Sequence, residues 1–148
     1  MSRSATPNDT LRLGDMVSVT IEVARGSFVK RRPSGSVDFV SPLPCPYNYG
    51  SIVGTLGADA DPLDAVVLGS RLPYGLQVRV RVFGCVDFVD GGVSDPKWVC
   101  GNGSLRPSDR AGVERFFRVY AGFKRVLYAA RRSSVGPTAC LGWVPPQS

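Results

Sequence analysis

Three carboxylates fall within six residues in Asp59-Ala60-Asp61-Pro62-Leu63-Asp64, between the apolar runs 51–56 and 65–69. Pro62 stiffens the turn, so charges that repel one another are held close and call for a counterion. Hard divalent cations take oxygen ligands, and Mg²⁺ in particular is held by a few carboxylates while keeping waters and substrate phosphates in its other positions. An EF-hand loop is excluded, because Leu63 and Asp64 stand where that loop needs an oxygen ligand and a glycine. Taken alone, the cluster reads sooner as a solvated turn with an Asp cap, because short acidic motifs match often by accident.

A second acidic segment, Val89-Asp90-Gly91-Gly92-Val93-Ser94-Asp95-Pro96-Lys97, sets two more Asp residues around a Gly-Gly pair and follows them with a lysine. By itself it is a glycine-rich hairpin loop; beside the first cluster it supplies the separated carboxylates that a site for several metal ions needs. In Pro44-Cys45-Pro46-Tyr47-Asn48-Tyr49-Gly50, one tyrosine can pack while the other offers its hydroxyl to a ligand.

The elements that must carry these groups are mostly strands. Residues 16–23 alternate Val17, Val19, Ile21 and Val23 with Ser18, Thr20 and Glu22, the period of a half-buried strand that turns Glu22 away from the core. Further strands are predicted at 36–41, 51–56, 64–69, 76–83 and 84–90, separated by Gly- and Pro-containing turns. The spacers are too short for βαβ crossovers, so a small closed barrel is favoured over an open α/β sheet. One helix is predicted after Arg106-Pro107, with Ser108 as N-cap and Val113, Phe116, Phe117, Tyr120 and Leu127 as its apolar stripe. Residues 1–14 read as a flexible leader and 15–148 as a single domain, closing in a Pro- and Gly-punctuated extension.

Composition narrows the chemistry. The chain has 148 residues and no histidine, which removes the usual base near neutral pH and the Ser-His and Cys-His nucleophilic pairs. Catalysis must run on carboxylates, lysine, tyrosine or bound metal. Cys45, Cys85, Cys100 and Cys140 form no C-x-x-C pair and read as reduced, mostly buried thiols. Residues 59–95 hold six Asp against three Arg, whereas 96–148 hold nine Lys or Arg against one Asp and one Glu. No apolar run approaches a membrane span and the N-terminus lacks a secretory h-region, so a soluble, cytoplasmic protein is expected.

In order, these pieces resemble the soluble family I inorganic pyrophosphatases from about Val17 to Trp143. The D-x-D-P-x-D signature stands at 59–64, at the family's distance after the P-x-N-Y-G motif, followed by Asp90, Asp95 and Lys97, by the F-F-x-x-Y of Phe116 to Tyr120, and preceded by a segment similar to E-I-P-x-G-S-x-x-K at 21–30. The resemblance implies a mainly β fold with flanking helices, built on a five-stranded OB-like barrel, and hydrolysis of pyrophosphate to two phosphates with several Mg²⁺ ions, for which Mn²⁺ can substitute. It implies Asp59, Asp64, Asp90 and Asp95 as metal ligands, Glu22 assisting through metal-bound water, Asp61 activating the attacking water, and Lys30, Tyr49, Lys97 and Tyr120 holding phosphate oxygens. It also implies a homo-oligomer.

The chain departs from that pattern on the phosphate side: Arg32 stands for a second Glu, Phe39 for an Arg, Cys45 for a Tyr and Ala121 for a Lys. Arg31 or Arg32 is the nearby cation that could restore charge. The alternatives are a catalytically weakened or inactive relative acting as a metal-binding, phosphate-binding or interaction module, and single-strand nucleic-acid binding on an OB-like barrel. Uncompensated Asp clusters argue against the last.

Overall fold

The computed structural model describes residues 11–31, 36–40, 44–58 and 60–144. Nine strands and one helix are found among them: β1 (Met16–Val23), β2 (Val29–Arg31), β3 (Val37–Val40), β4 (Asn48–Ile52), β5 (Asp64–Val67), β6 (Gln77–Asp90), β7 (Val93–Ser94), β8 (Lys97–Gly101), α1 (Pro107–Ala130) and β9 (Ala139–Val144). The fold is mainly β with a single helix among the described residues, where several flanking helices were expected. The main sheet runs β1-β4-β5-β8-β6, and β6 pairs β1 as well, so the path of pairing returns to its start. β7 and β9 attach to β6, while β2 and β3 form a separate hairpin.

Alternation along the ring strands sorts side chains into two cores. Val17, Val19 and Ile21 join Ala65, Val67, Val80, Val82, Cys85, Trp98 and Cys100 in one. Val66, Val86, Phe88 and Val99 join Val113, Phe117 and Ala121 of α1 in the other. Strands apolar on both faces are what this arrangement demands, and each fully buried Ile, Val or Phe contributes on the order of 2 kcal/mol. The leader expected over 1–14 lies largely outside the described residues, but Leu11 is buried in the first core.

Three local readings change. Segments 76–83 and 84–90 are one 14-residue strand, β6, whose register with β8 shifts between Val82 and Gly84; a side chain at Gly84 would strike the ring of Trp143. The helix begins two residues earlier than a Ser108 cap requires: Arg106 is the N-cap, Pro107 the first helical residue, and the Asp109 carboxylate accepts the Arg106 backbone N–H at 3.1 Å. The C-terminal extension supplies strand β9 rather than an irregular tail.

Asn48 ties several of these pieces together. Fully buried, it accepts the backbone N–H groups of Arg25 and Leu72 and donates to the carbonyls of Val67 and Ser70. Its whole amide is thereby satisfied without water. Next to it, Gly50 lies so close to β1 that a β-carbon there would collide with the Thr20 carbonyl.

Candidate active site

The candidate groups gather where the helix-side core opens toward solvent. Asp64 is the first residue of β5 and Lys97 the first of β8, and these parallel strands pair Asp64 directly with Lys97. Tyr49 on β4 faces Val66 of β5. Asp90 ends β6, and Asp95 follows β7 just before β8. Sheet register, rather than loop conformation, therefore sets most of the constellation.

Lys97 is its hub. The ammonium donates to Tyr49 Oη at 2.9 Å, Asp64 Oδ2 at 2.9 Å and Asp95 Oδ2 at 2.7 Å, which accounts for all three of its protons. Its side chain is 2% exposed, against 17% for Asp64 and 15% for Asp95. It also lies 5.2 Å from the ring centre of Phe88 and 5.9 Å from that of Tyr120. Burial opposes the charge of Lys97, but Tyr49, Asp64 and Asp95 outweigh it and hold the ammonium well above the ordinary lysine value. Burial, reinforced by Asp64, pushes the Tyr49 phenol far up.

Asp90 belongs to an adjoining group contributed by α1. Tyr128 Oη donates to Asp90 Oδ1 at 2.6 Å, and Lys124 Nζ lies 3.3 Å from Asp90 Oδ2. Burial and the bond to Asp90 push the Tyr128 phenol up to about 12. Neither Lys124 nor Tyr128 was expected at the site. The signal available in the sequence was their spacing of four and eight residues from Tyr120, which places them on successive turns of one helix face.

Glu22 is corrected. Instead of turning to solvent it is 6% exposed and accepts the Ser51 hydroxyl. The register of β1 against β4 shifts between Ile21 and Val23, and such a bulge re-aims the side chain at the irregular position. Ser51 is paired with Asp64 across β4 and β5, so it brings Glu22 to the acidic edge. Asp61 is exposed on the loop entering β5. Ala60 beside it has φ +67°, a left-handed conformation that costs a non-glycine residue about 1–2 kcal/mol, within a turn closed by the Gly57 N–H donating to the Asp61 carbonyl at 2.7 Å.

Tyr120 is half-buried against Phe88 and Phe116. Lys30 pairs with Phe39 in the β2–β3 hairpin, but its side chain, like those of Arg31 and Phe39, lies outside what the structure describes, as do Asp59 and Arg32. The structure thus brings together Asp64, Asp95, Lys97 and Tyr49, with Tyr120 at their edge and Asp90 in the neighbouring group. Among the described residues no three acidic or cysteine side chains converge closely enough to enclose an ion.

Four of the five tyrosines, Tyr47, Tyr49, Tyr120 and Tyr128, have raised phenol values, with burial the largest cause in each. Raised values in the folded state mean that the native chain holds more protons than the unfolded one once pH passes about 10, up to about 12 in the case of Tyr128. Stability from these groups is therefore complete below about pH 10 and is lost as pH rises through their folded values. Urea unfolding followed from pH 8 to 11.5 should show a midpoint that begins to fall near pH 9, where the thiols of Cys45, Cys85 and Cys100, also pushed up by burial, join in, and falls further above 10, with tyrosinate absorbance appearing later in native than in unfolded protein.

The inorganic pyrophosphatase family profile matches residues 19–109, more than half of the chain. The inorganic pyrophosphatase of Gluconobacter oxydans is 37% identical over 102 residues, covering 64% of this chain and 55% of that protein. The soluble inorganic pyrophosphatase of Solanum tuberosum is 31% identical over 144 residues, covering 80% of this chain and 68% of that protein. In the Gluconobacter alignment the chain spans about half of its relative's length. Among solved structures, the inorganic pyrophosphatase of Thermus thermophilus superposes with a TM-score of 0.73 at 27% identity, over 95% of this chain and 91% of that one.

Proposed function

From the premise that the chain belongs to the inorganic pyrophosphatase family, we propose that it is a Mg²⁺-dependent diphosphatase that hydrolyses pyrophosphate to two phosphates. The observation that carries the reading is the convergence of Asp64, Asp95 and Tyr49 on the buried Lys97, at the place where the acidic signature enters β5.

The donors fit a hard divalent cation. Asp64 and Asp95 each direct an oxygen at one shared cation, the Lys97 ammonium, and the chain has no imidazole to favour a softer metal. Asp59, Asp64, Asp90 and Asp95 would hold Mg²⁺, which supplies charge neutralisation of phosphate oxygens and a more acidic water. Asp61, exposed on the loop entering β5, accepts the proton of the attacking water as its oxygen bonds to phosphorus. The bridging P–O bond then breaks, and the bridging oxygen leaves with the second phosphate. Glu22, fixed by Ser51, adds negative charge at the same edge, and Lys30, Tyr49, Lys97 and Tyr120 bind or orient phosphate oxygens. Such a reaction needs positioning and charge stabilisation more than covalent chemistry, which suits a chain without histidine.

The cycle of β1, β4, β5, β8 and β6 is read here as a small closed five-stranded OB-like barrel, supported by a core on each face. The region 15–148 is read as one domain. No described helix is long and apolar enough to cross a membrane, and a cytoplasmic homo-oligomer is the state that accompanies this function.

The deciding experiment is phosphate release from pyrophosphate with Mg²⁺ and with EDTA. Release that requires Mg²⁺ is expected. No release from any diphosphate at millimolar Mg²⁺ would replace this reading with that of a non-catalytic metal- or phosphate-binding relative.

A further inference from the structure

We propose that Lys124 is a pyrophosphate-binding cation of this site, reaching it from one turn further along α1 than the uncharged Ala121; the proposal rests on the diphosphatase reading above. Ala121 is itself 1% exposed and packed in the helix-side core, so that position offers the substrate neither charge nor contact. Lys124, three residues on, lies on the adjoining helix face. Long helical side chains lean toward the helix N-terminus, and the Lys124 ammonium accordingly lies 5.8 Å from the ring centre of Tyr120.

Tyr120 connects the two groups of charges. Lys97 lies 5.9 Å from the same ring centre, so both ammonium groups border one phenol at the edge of the acidic cluster. They are not equivalent. Lys97 spends its three protons on Tyr49, Asp64 and Asp95 and is 2% exposed. Lys124 makes one carboxylate contact, at 3.3 Å, and keeps 18% of its side chain exposed. Asp90 is anchored independently by the Tyr128 hydroxyl at 2.6 Å, so Lys124 is not needed to hold it. An ammonium with donors to spare, steadied over two aromatic rings and open to solvent, is suited to a phosphate oxygen as a point charge.

The test uses the full chain as Lys124→Gln and Lys124→Arg, with methylenediphosphonate as a non-hydrolysable diphosphate. In Lys124→Gln, affinity for methylenediphosphonate in calorimetry at fixed Mg²⁺ should fall about 10- to 100-fold, and KM for pyrophosphate should rise by a similar factor. The thermal midpoint should stay near that of the parent, Mg²⁺ affinity should hold or rise because Asp90 loses a competing cation, and Lys124→Arg should recover most of the loss. Parent-like diphosphate affinity and KM in Lys124→Gln, in a chain that does hydrolyse pyrophosphate, would overturn the assignment of Lys124 alone. Equal loss in Lys124→Arg would overturn it too, by pointing to packing rather than charge. A parent that neither binds methylenediphosphonate nor releases phosphate would remove the diphosphatase reading and this inference with it.

Discussion

On the diphosphatase reading, Asp61→Asn should lower kcat for pyrophosphate by about 10²- to 10⁴-fold, the range lost when a positioned proton acceptor is removed. The substitution keeps shape and the capacity to accept a hydrogen bond, but it abolishes the basicity that the attacking water needs. Asp61 is exposed on the loop entering β5, outside both cores, so folding should be untouched. Pro62 and the left-handed Ala60 on either side keep its backbone in place. Steady-state kinetics, with circular dichroism and Mg²⁺ titration as controls, check the point. A variant as active as the parent would place proton acceptance elsewhere, with Glu22 the next carboxylate to examine.

Lys97→Met lowers the unfolding free energy in EDTA by about 3–5 kcal/mol, the cost of removing one partner from a buried ion pair. The methionine fills much of the vacated volume, so the loss is mainly electrostatic. Asp64 and Asp95, each largely covered and both bonded to the missing ammonium, are left facing one another, and the Tyr49 hydroxyl loses its donor. Millimolar Mg²⁺ should return part of the stability, because a divalent cation can take the place between the two carboxylates. Urea unfolding of parent and variant, each with EDTA and with Mg²⁺, measures both effects. An unchanged midpoint in EDTA would mean that the cost of burying Lys97 already cancels its contacts.

The parts of the fold that announce themselves in the sequence are those with uninterrupted alternation. β1 and the start of β5 fall where apolar periodicity places them, and the apolar stripe of α1 is correct at Val113 and Phe117. β8 was not foreseen as a strand, because all five of its residues are buried and the first is a lysine. A charge at the head of an apolar run looks like a loop until its carboxylate partners are known. β9 was hidden by its glycine, since a chain that must pass close to Gly84 does not resemble an ordinary strand. In the site, Asp64, Asp95, Lys97 and Tyr49 were legible from motif order. Glu22 was among the expected residues but aimed wrongly, since a period of two cannot register a bulge. Lys124 and Tyr128 belong to no motif; their spacing from Tyr120 tells which helix face they share but not what that face meets.

The cycle of strand pairing has a consequence for how the chain is made. β1 finds one neighbour, β4, about thirty residues later, but its other edge pairs Met16 to Thr20 with Arg81 to Gln77. At about 5–20 residues per second on the ribosome, that second edge stays open for about 3–12 s after β1 has been synthesised. Throughout that interval the edge of β1 that will pair β6 has no partner of its own chain. Pairings this distant in sequence also raise the entropy cost of closing the fold. Pairing order of this kind favours brisk elongation through β6, a pressure that the finished molecule, with both edges of β1 satisfied, no longer reveals.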